Sequence, residues 1–203
     1  MVVVKICGIT TCEDAIAAAR SGADWLGLNF WQGSPRHVTR ERAREIVAAL
    51  PPHIRKVGVF VNATREEVES TAAELGLDLL QFHGDEPPEY CQGWRWPVIK
   101  AVRGHSKGDL EAACLYRVDY FLVDAQVPGR YGGTGQRANW AAVAQWAPGR
   151  PVILAGGLNP ENVSEAIRLV RPFGVDVASG VETSPGAKDP GAMRRFVQNA
   201  KSA

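Results

Sequence analysis

Eight times along this chain a short β-branched or aromatic run is followed by a connecting stretch, and that count limits the possible folds more than any single motif. Strands are expected at about 2–7 (VVVKIC), 25–30 (WLGLNF), 55–61 (RKVGVFV), 78–82 (DLLQF), 97–101 (PVIKA), 119–124 (DYFLVD), 151–155 (PVILA) and 174–178 (GVDVA). Helical start signals stand between them. Thr64 with Glu67 makes a capping box ahead of Val68, Thr71, Ala72 and Leu75, and Asn159-Pro160 precedes Val163, Ala166, Ile167 and Val170. Thr39 opens a third pattern with Ala43, Ile46, Val47 and Leu50, and Asp189-Pro190 a last one with Met193, Phe196 and Val197 inward. Every strand is thus expected to gain a following helix.

With one marker near each strand end (Cys7, Phe30, Phe60, His83, Ala101, Asp124, Gly156, Ser179), the steps are 23, 30, 23, 18, 23, 32 and 23 residues. Eight α/β units close a (β/α)8 TIM barrel, a parallel eight-stranded closed sheet. No linker or low-complexity break divides the chain, so residues 1–203 are read as one catalytic barrel domain. An open doubly wound sheet is the alternative, but it needs a switch point, and "KICGIT" lacks the GxGxxG phosphate turn.

Composition narrows the partners. The 23 basic and 22 acidic side chains are interspersed and leave a net charge of +1, which gives no electrostatic footprint for nucleic acid or an anionic membrane. "MVVVKICGIT" is too short and too soon interrupted by Lys5 for a signal peptide, and no apolar run approaches the roughly 18 residues of a membrane span. A cytoplasmic location is expected. Cys7, Cys12, Cys91 and Cys114 form no CxxC pair and have no histidine at metal-ligand spacing, so free thiols are expected and no metal site.

A barrel of this kind places its chemistry at the C-terminal strand ends. Alternation along the first strand sends Val3, Lys5 and Cys7 inward, and Val4 and Ile6 toward the helices. A cysteine is commonly just a small buried hydrophobe. At a strand end Cys7 becomes a candidate base, provided a cation or backbone donors support its thiolate. Lys5 is one such cation, or else pairs with a carboxylate lower in the barrel. Asp124 ends the strand "YFLVD" and opens the loop "AQVPGRYGGTGQ", whose length and four glycines (Gly129, Gly132, Gly133, Gly135) suggest a cover over a reacting group rather than a plain turn.

Gly156-Gly157 and Ser179-Gly180 follow the last two strands, where backbone N–H groups of such barrels bind phosphate, so a small phosphorylated molecule is the expected ligand. Arg36, in the loop after the second strand, offers a fork of donors that suits a carboxylate. His83 and Asp176 are further ligand-binding candidates near strand ends.

These motifs resemble one family. "VKICGIT", "FWQGSPRHV", "VGVFVN", "LLQFHGDE", "LVDAQVPGRYGGTGQ", "ILAGGLNPENV" and "VDVASGVETSPGAKD" occur in the order and spacing of phosphoribosylanthranilate isomerase, over residues 2 to about 200. The resemblance implies an Amadori rearrangement of an aminoaldose to an aminoketose in tryptophan biosynthesis, with no cofactor and no metal. It matches Cys7 to the general base, Asp124 to the general acid, Arg36 to the contact with the anthranilate carboxylate, and the two glycine-containing loops to the phosphate cradle. Family members are commonly monomers, and monomer is expected over homodimer. Trp31 stands where tyrosine is frequent, and Ala178 replaces a common serine. Two other readings remain: a non-catalytic barrel that binds a phosphorylated ligand, and another phosphosugar isomerase or epimerase. Such epimerases commonly use metal-binding histidines at strand ends, and of His37, His53, His83 and His105 only His83 has that position.

Overall fold

The computed structural model describes residues 1–104, 106–124, 139–146 and 148–203. Eight parallel strands run β1 (Val3–Cys7), β2 (Trp25–Asn29), β3 (Arg55–Phe60), β4 (Leu79–Phe82), β5 (Val98–Arg103), β6 (Tyr120–Asp124), β7 (Val152–Leu154) and β8 (Gly174–Val177). Each pairs with the next, and β8 closes on β1 with Lys5 opposite Asp176 and Ile6 opposite Val177. The result is a (β/α)8 barrel.

Side-chain alternation divides the apolar residues into two cores. Trp25, Val57, Leu79, Ile99, Ala101, Leu122, Ile153 and Ala155 fill the barrel, with Val3 and Tyr120 packed against them. Trp25 and Tyr120 meet edge to face at 5.4 Å, and as the first residues of their strands they plug the N-terminal end. Val4, Ile6, Leu26, Leu28, Leu80, Phe82 and Val175 face outward against helix residues such as Ala15, Ile46, Val68, Ala72, Ala166 and Phe196. Most of the barrel is therefore packing, and only its C-terminal mouth is left for chemistry.

The outer layer holds α1 (Cys12–Arg20), α2 (Arg40–Ala48), α3 (Arg65–Leu75), α4 (Lys107–Ala113), α5 (Trp140–Gln145), α6 (Val163–Val170) and α7 (Pro190–Lys201). Thr39, the Thr64/Glu67 capping box and Asp189 with Pro190 start α2, α3 and α7 as expected. Two expectations need correction. No helix follows β4, because the step from His83 to Ala101 is the shortest at 18 residues and carries Pro87, Pro88 and Pro97. This excursion is held instead by a buried Lys100–Glu86 pair at 2.6 Å and by Arg65 lying 4.0 Å over the Trp94 ring. Asn159 also fails to cap α6 directly. Its side chain accepts from the Glu161 and Asn162 amides and makes a turn, and α6 begins at Val163. After β8 a short 3-10 turn (Ser179–Val181) leads into a hairpin of β9 (Glu182–Ser184) and β10 (Ala187–Lys188) before α7. The loop suggested as a cover, from 125 to 138, lies outside the described residues.

Candidate active site

Cys7 is the last residue of β1, and Gly8 turns the chain beyond it at a φ of +73°. Opposite it in the ladder stands Gly27, where a Cβ would lie 2.6 Å from the Cys7 sulfur. The thiol therefore occupies space that any other residue in β2 would take. One inward position below, Lys5 is fully buried and donates to Asp176 Oδ1 at 2.8 Å. Lys5 thus pairs with a carboxylate lower in the barrel, while its charge also bears on the neighbouring thiol. Burial works against its charge, but Asp176 and the Cys7 sulfur outweigh burial and hold the ammonium above its ordinary value. For Cys7 burial dominates and pushes the thiol up; the Lys5 and Lys188 charges oppose this and Asp176 reinforces it.

That balance has a measurable outcome. Alkylation of the Cys7 peptide by iodoacetamide, followed by mass spectrometry, should rise about tenfold per pH unit and level off only above the ordinary thiol range. Lys5→Met should move the levelling point higher still. A plateau near pH 7 would contradict the electrostatic account.

Asp124 ends β6 with 7% of its surface exposed. His83 Nε2 lies 3.4 Å from Asp124 Oδ2, while the Gln81 amide meets His83 Nδ1 at 2.8 Å. His83, a candidate ligand contact, is held by Gln81 beside the Asp124 carboxylate.

Arg36 crosses the first turn after β1, and a Cβ on Gly8 would lie 2.4 Å from its Cδ. Its Nε and Nη2 donate to the two carboxylate oxygens of Glu182 at 2.8 and 2.7 Å. Asp176, 8% exposed, is engaged with Lys5.

A small cavity at the mouth is lined by Cys7, Arg36, His83, Asp124 and Asp176 together with Asn29, Trp31, Ser34 and Ala178. Five sequence candidates thus come together around one space. Gly156, Gly157, Ser179 and Gly180 do not line it, and they sit in the two loops beside its Asp176 and Ala178 edge. Those loops touch, since a Cβ on Gly180 would lie 1.9 Å from the Leu158 carbonyl oxygen. Among the described residues, no group of three His, Cys, Asp or Glu side chains is placed to hold a metal ion.

The family model for N-(5'-phosphoribosyl)anthranilate (PRA) isomerase matches residues 4–199. The chain belongs to the N-(5'-phosphoribosyl)anthranilate isomerase family. A relative of that name in Geobacter sulfurreducens is 51% identical over 201 residues, covering 99% of each chain. The crystal structure of the isomerase from Thermotoga maritima superposes with a TM-score of 0.94 at 44% identity over 100% of both chains. Another family structure, in complex with reduced 1-(o-carboxyphenylamino)-1-deoxyribulose 5-phosphate, has a TM-score of 0.91 at 43% identity over 100% of both. A third, of monomers generated from the dimeric T. maritima isomerase, has a TM-score of 0.90 at 42% identity over 100% of both. The activity is accordingly that of a PRA isomerase in tryptophan biosynthesis.

Within this isomerase, three polar residues beside the site carry no strand-end signal in the sequence. Gln81 lies one inward position below a strand end, whereas Glu182 and Lys188 belong to the hairpin after β8. Both charges stand in the quoted "SGVETSPGAKD", but as loop charges they look solvated. Their partners lie 146 and 181 residues away, which no local spacing reveals.

Proposed function

We propose that this isomerase works by an acid/base-catalysed Amadori rearrangement in which Asp124 is the acid and Cys7 the base. Asp124 protonates the furanose ring oxygen while the anthranilate nitrogen lone pair expels it, opening the ring to a Schiff base. The Cys7 thiolate takes the C2 proton, and the C–H electrons form a C1=C2 bond as the C=N electrons return to nitrogen. The enolamine then gains a proton at C1 and loses its C2 hydroxyl proton, giving 1-(2-carboxyphenylamino)-1-deoxyribulose 5-phosphate. The acid and the base are the protein's own side chains, so the reaction takes no cofactor and no metal.

The observation that carries this reading is that Cys7 and Asp124, on strands three places apart in an eight-strand ring, line the same cavity. An acid and a base on different walls can address two atoms of one sugar. Arg36 takes the substrate carboxylate. Asp176 contacts the sugar from the β8 side, His83 acts beside Asp124, and Gly156, Gly157, Ser179 and Gly180 supply N–H groups to the phosphate. Residues 1–203 act as one catalytic domain, a monomer in the cytoplasm. Among the described residues, no helix is long and apolar enough to cross a membrane.

Purified protein supplied with freshly generated phosphoribosylanthranilate should quench the substrate's fluorescence far faster than the spontaneous loss, with or without prior EDTA treatment. Loss at the spontaneous rate would overturn the assignment, and a requirement for added metal would overturn the mechanism. Sedimentation at micromolar concentration should give a single 22.0 kDa species.

A further inference from the structure

We propose that Glu182 is a positioning residue for substrate recognition, holding the Arg36 guanidinium in register with the cavity, and that Lys188 tethers Glu182 to the strand end that bears Cys7. This inference rests on the reading of Arg36 as the contact to the substrate carboxylate.

The geometry forms a continuous chain. The Lys188 ammonium, its side chain wholly buried, donates to the Cys7 carbonyl at 2.6 Å, to the Ala178 carbonyl at 3.2 Å and to Glu182 Oε1 at 2.7 Å. An ammonium has three protons, and all three are used. The two carbonyls lie just beyond the last paired residues of β1 and β8, Ile6 and Val177. Lys188 therefore bridges the barrel seam where the strand ladder ends. Glu182 in turn meets Arg36 through two parallel hydrogen bonds. A bidentate pair of planar groups fixes orientation as well as distance.

Charge supports the same arrangement. Burial alone would raise the Glu182 carboxyl, but Arg36 and Lys188 outweigh it and hold the group below the usual carboxylate range. An anionic Glu182 satisfies both cations. Without it Arg36, on a loop after β2, would lose the partner that occupies two of its donors. Its stem already lies against Gly8, so the pair with Glu182 sets the remaining freedom of the head group. Arg36 lines the cavity with Cys7 and Asp124, and the edge of the guanidinium not given to Glu182 is left for the ligand.

The test compares binding of the reaction product with that of its analogue lacking the aromatic carboxylate, 1-phenylamino-1-deoxyribulose 5-phosphate. Arg36→Met should weaken the product and spare the analogue; if it weakens both equally or neither, the reading of Arg36 fails and the proposal with it. Given that result, Glu182→Gln should weaken the product by about tenfold or more, as expected for a lost charge-assisted pair, with the analogue within twofold. In the Arg36→Met background the same change should add nothing. Equal loss for both ligands, no loss, or a full additional loss beside Arg36→Met would overturn the positioning role while leaving Arg36's own role standing. Should Glu182→Gln not fold, Glu182→Asp keeps the charge beside Lys188 but withdraws from Arg36, and the same selective loss is expected in smaller size. Equal loss or no loss there overturns the proposal too.

Discussion

Cys7→Ser should lose about a thousandfold in kcat and still bind the product within a few-fold of the parent, since a positioned base is worth about 10² to 10⁴ in rate. The substitution replaces a sulfur by a smaller oxygen in a space that Gly27 leaves open, so packing at the end of β1 is preserved. What changes is the base. A thiol, even one that burial pushes up against the opposing Lys5 and Lys188 charges, gives up its proton far more readily than a serine hydroxyl. The ammonium of Lys188 touches the Cys7 backbone carbonyl rather than the sulfur, so the strand end stays clamped in the variant. Product titration and fluorescence turnover on one preparation separate the two effects. A kcat within tenfold of the parent would remove Cys7 from the base role, and loss of product binding in parallel with kcat would make its role structural.

Much of this protein was legible in its sequence because barrel strands leave a simple mark. Alternation placed Lys5 and Cys7 inside β1, with Val4 and Ile6 against the helices, because the pleat allows no other division. Counting strand-end polar residues found Cys7, His83, Asp124 and Asp176, which do share a cavity. Less was legible where long-range pairing replaces a local pattern. The excursion after β4 looked like one more helical unit, but its shape depends on Glu86 reaching Lys100 and on backbone amides of Asn62 and Gly84 that point at the same carboxylate. His83 is likewise legible as a strand-end residue lining the cavity, whereas its setting between Gln81 and Asp124 is not. Arg36 was recognisable as a carboxylate fork, yet its pairing with Glu182 joins residues 146 apart.

Asp124→Asn should likewise lower kcat by about 10³ with little change in thermal stability, because it removes the acid and keeps the shape. An amide cannot protonate the ring oxygen, and without that proton the nitrogen must expel an alkoxide. The fold has little reason to respond. Asp124 is a strand-end residue whose side chain faces His83 Nε2 at 3.4 Å, and asparagine has the same shape and fills the same space. Nor does another acid stand ready among the described residues. Asp176 is the other carboxyl group that lines the cavity among the described residues, but it receives the buried Lys5 ammonium at 2.8 Å, so protonating it would leave that cation without its partner. Substitution of Asp124 should therefore not be rescued from within the site. Product affinity should survive, since the proposed binding contacts are Arg36 and the two glycine-containing loops rather than Asp124. Turnover within tenfold of the parent would move the acid role away from Asp124, and a Tm fall of more than a few degrees would show that the Asp124–His83 contact carries stability as well.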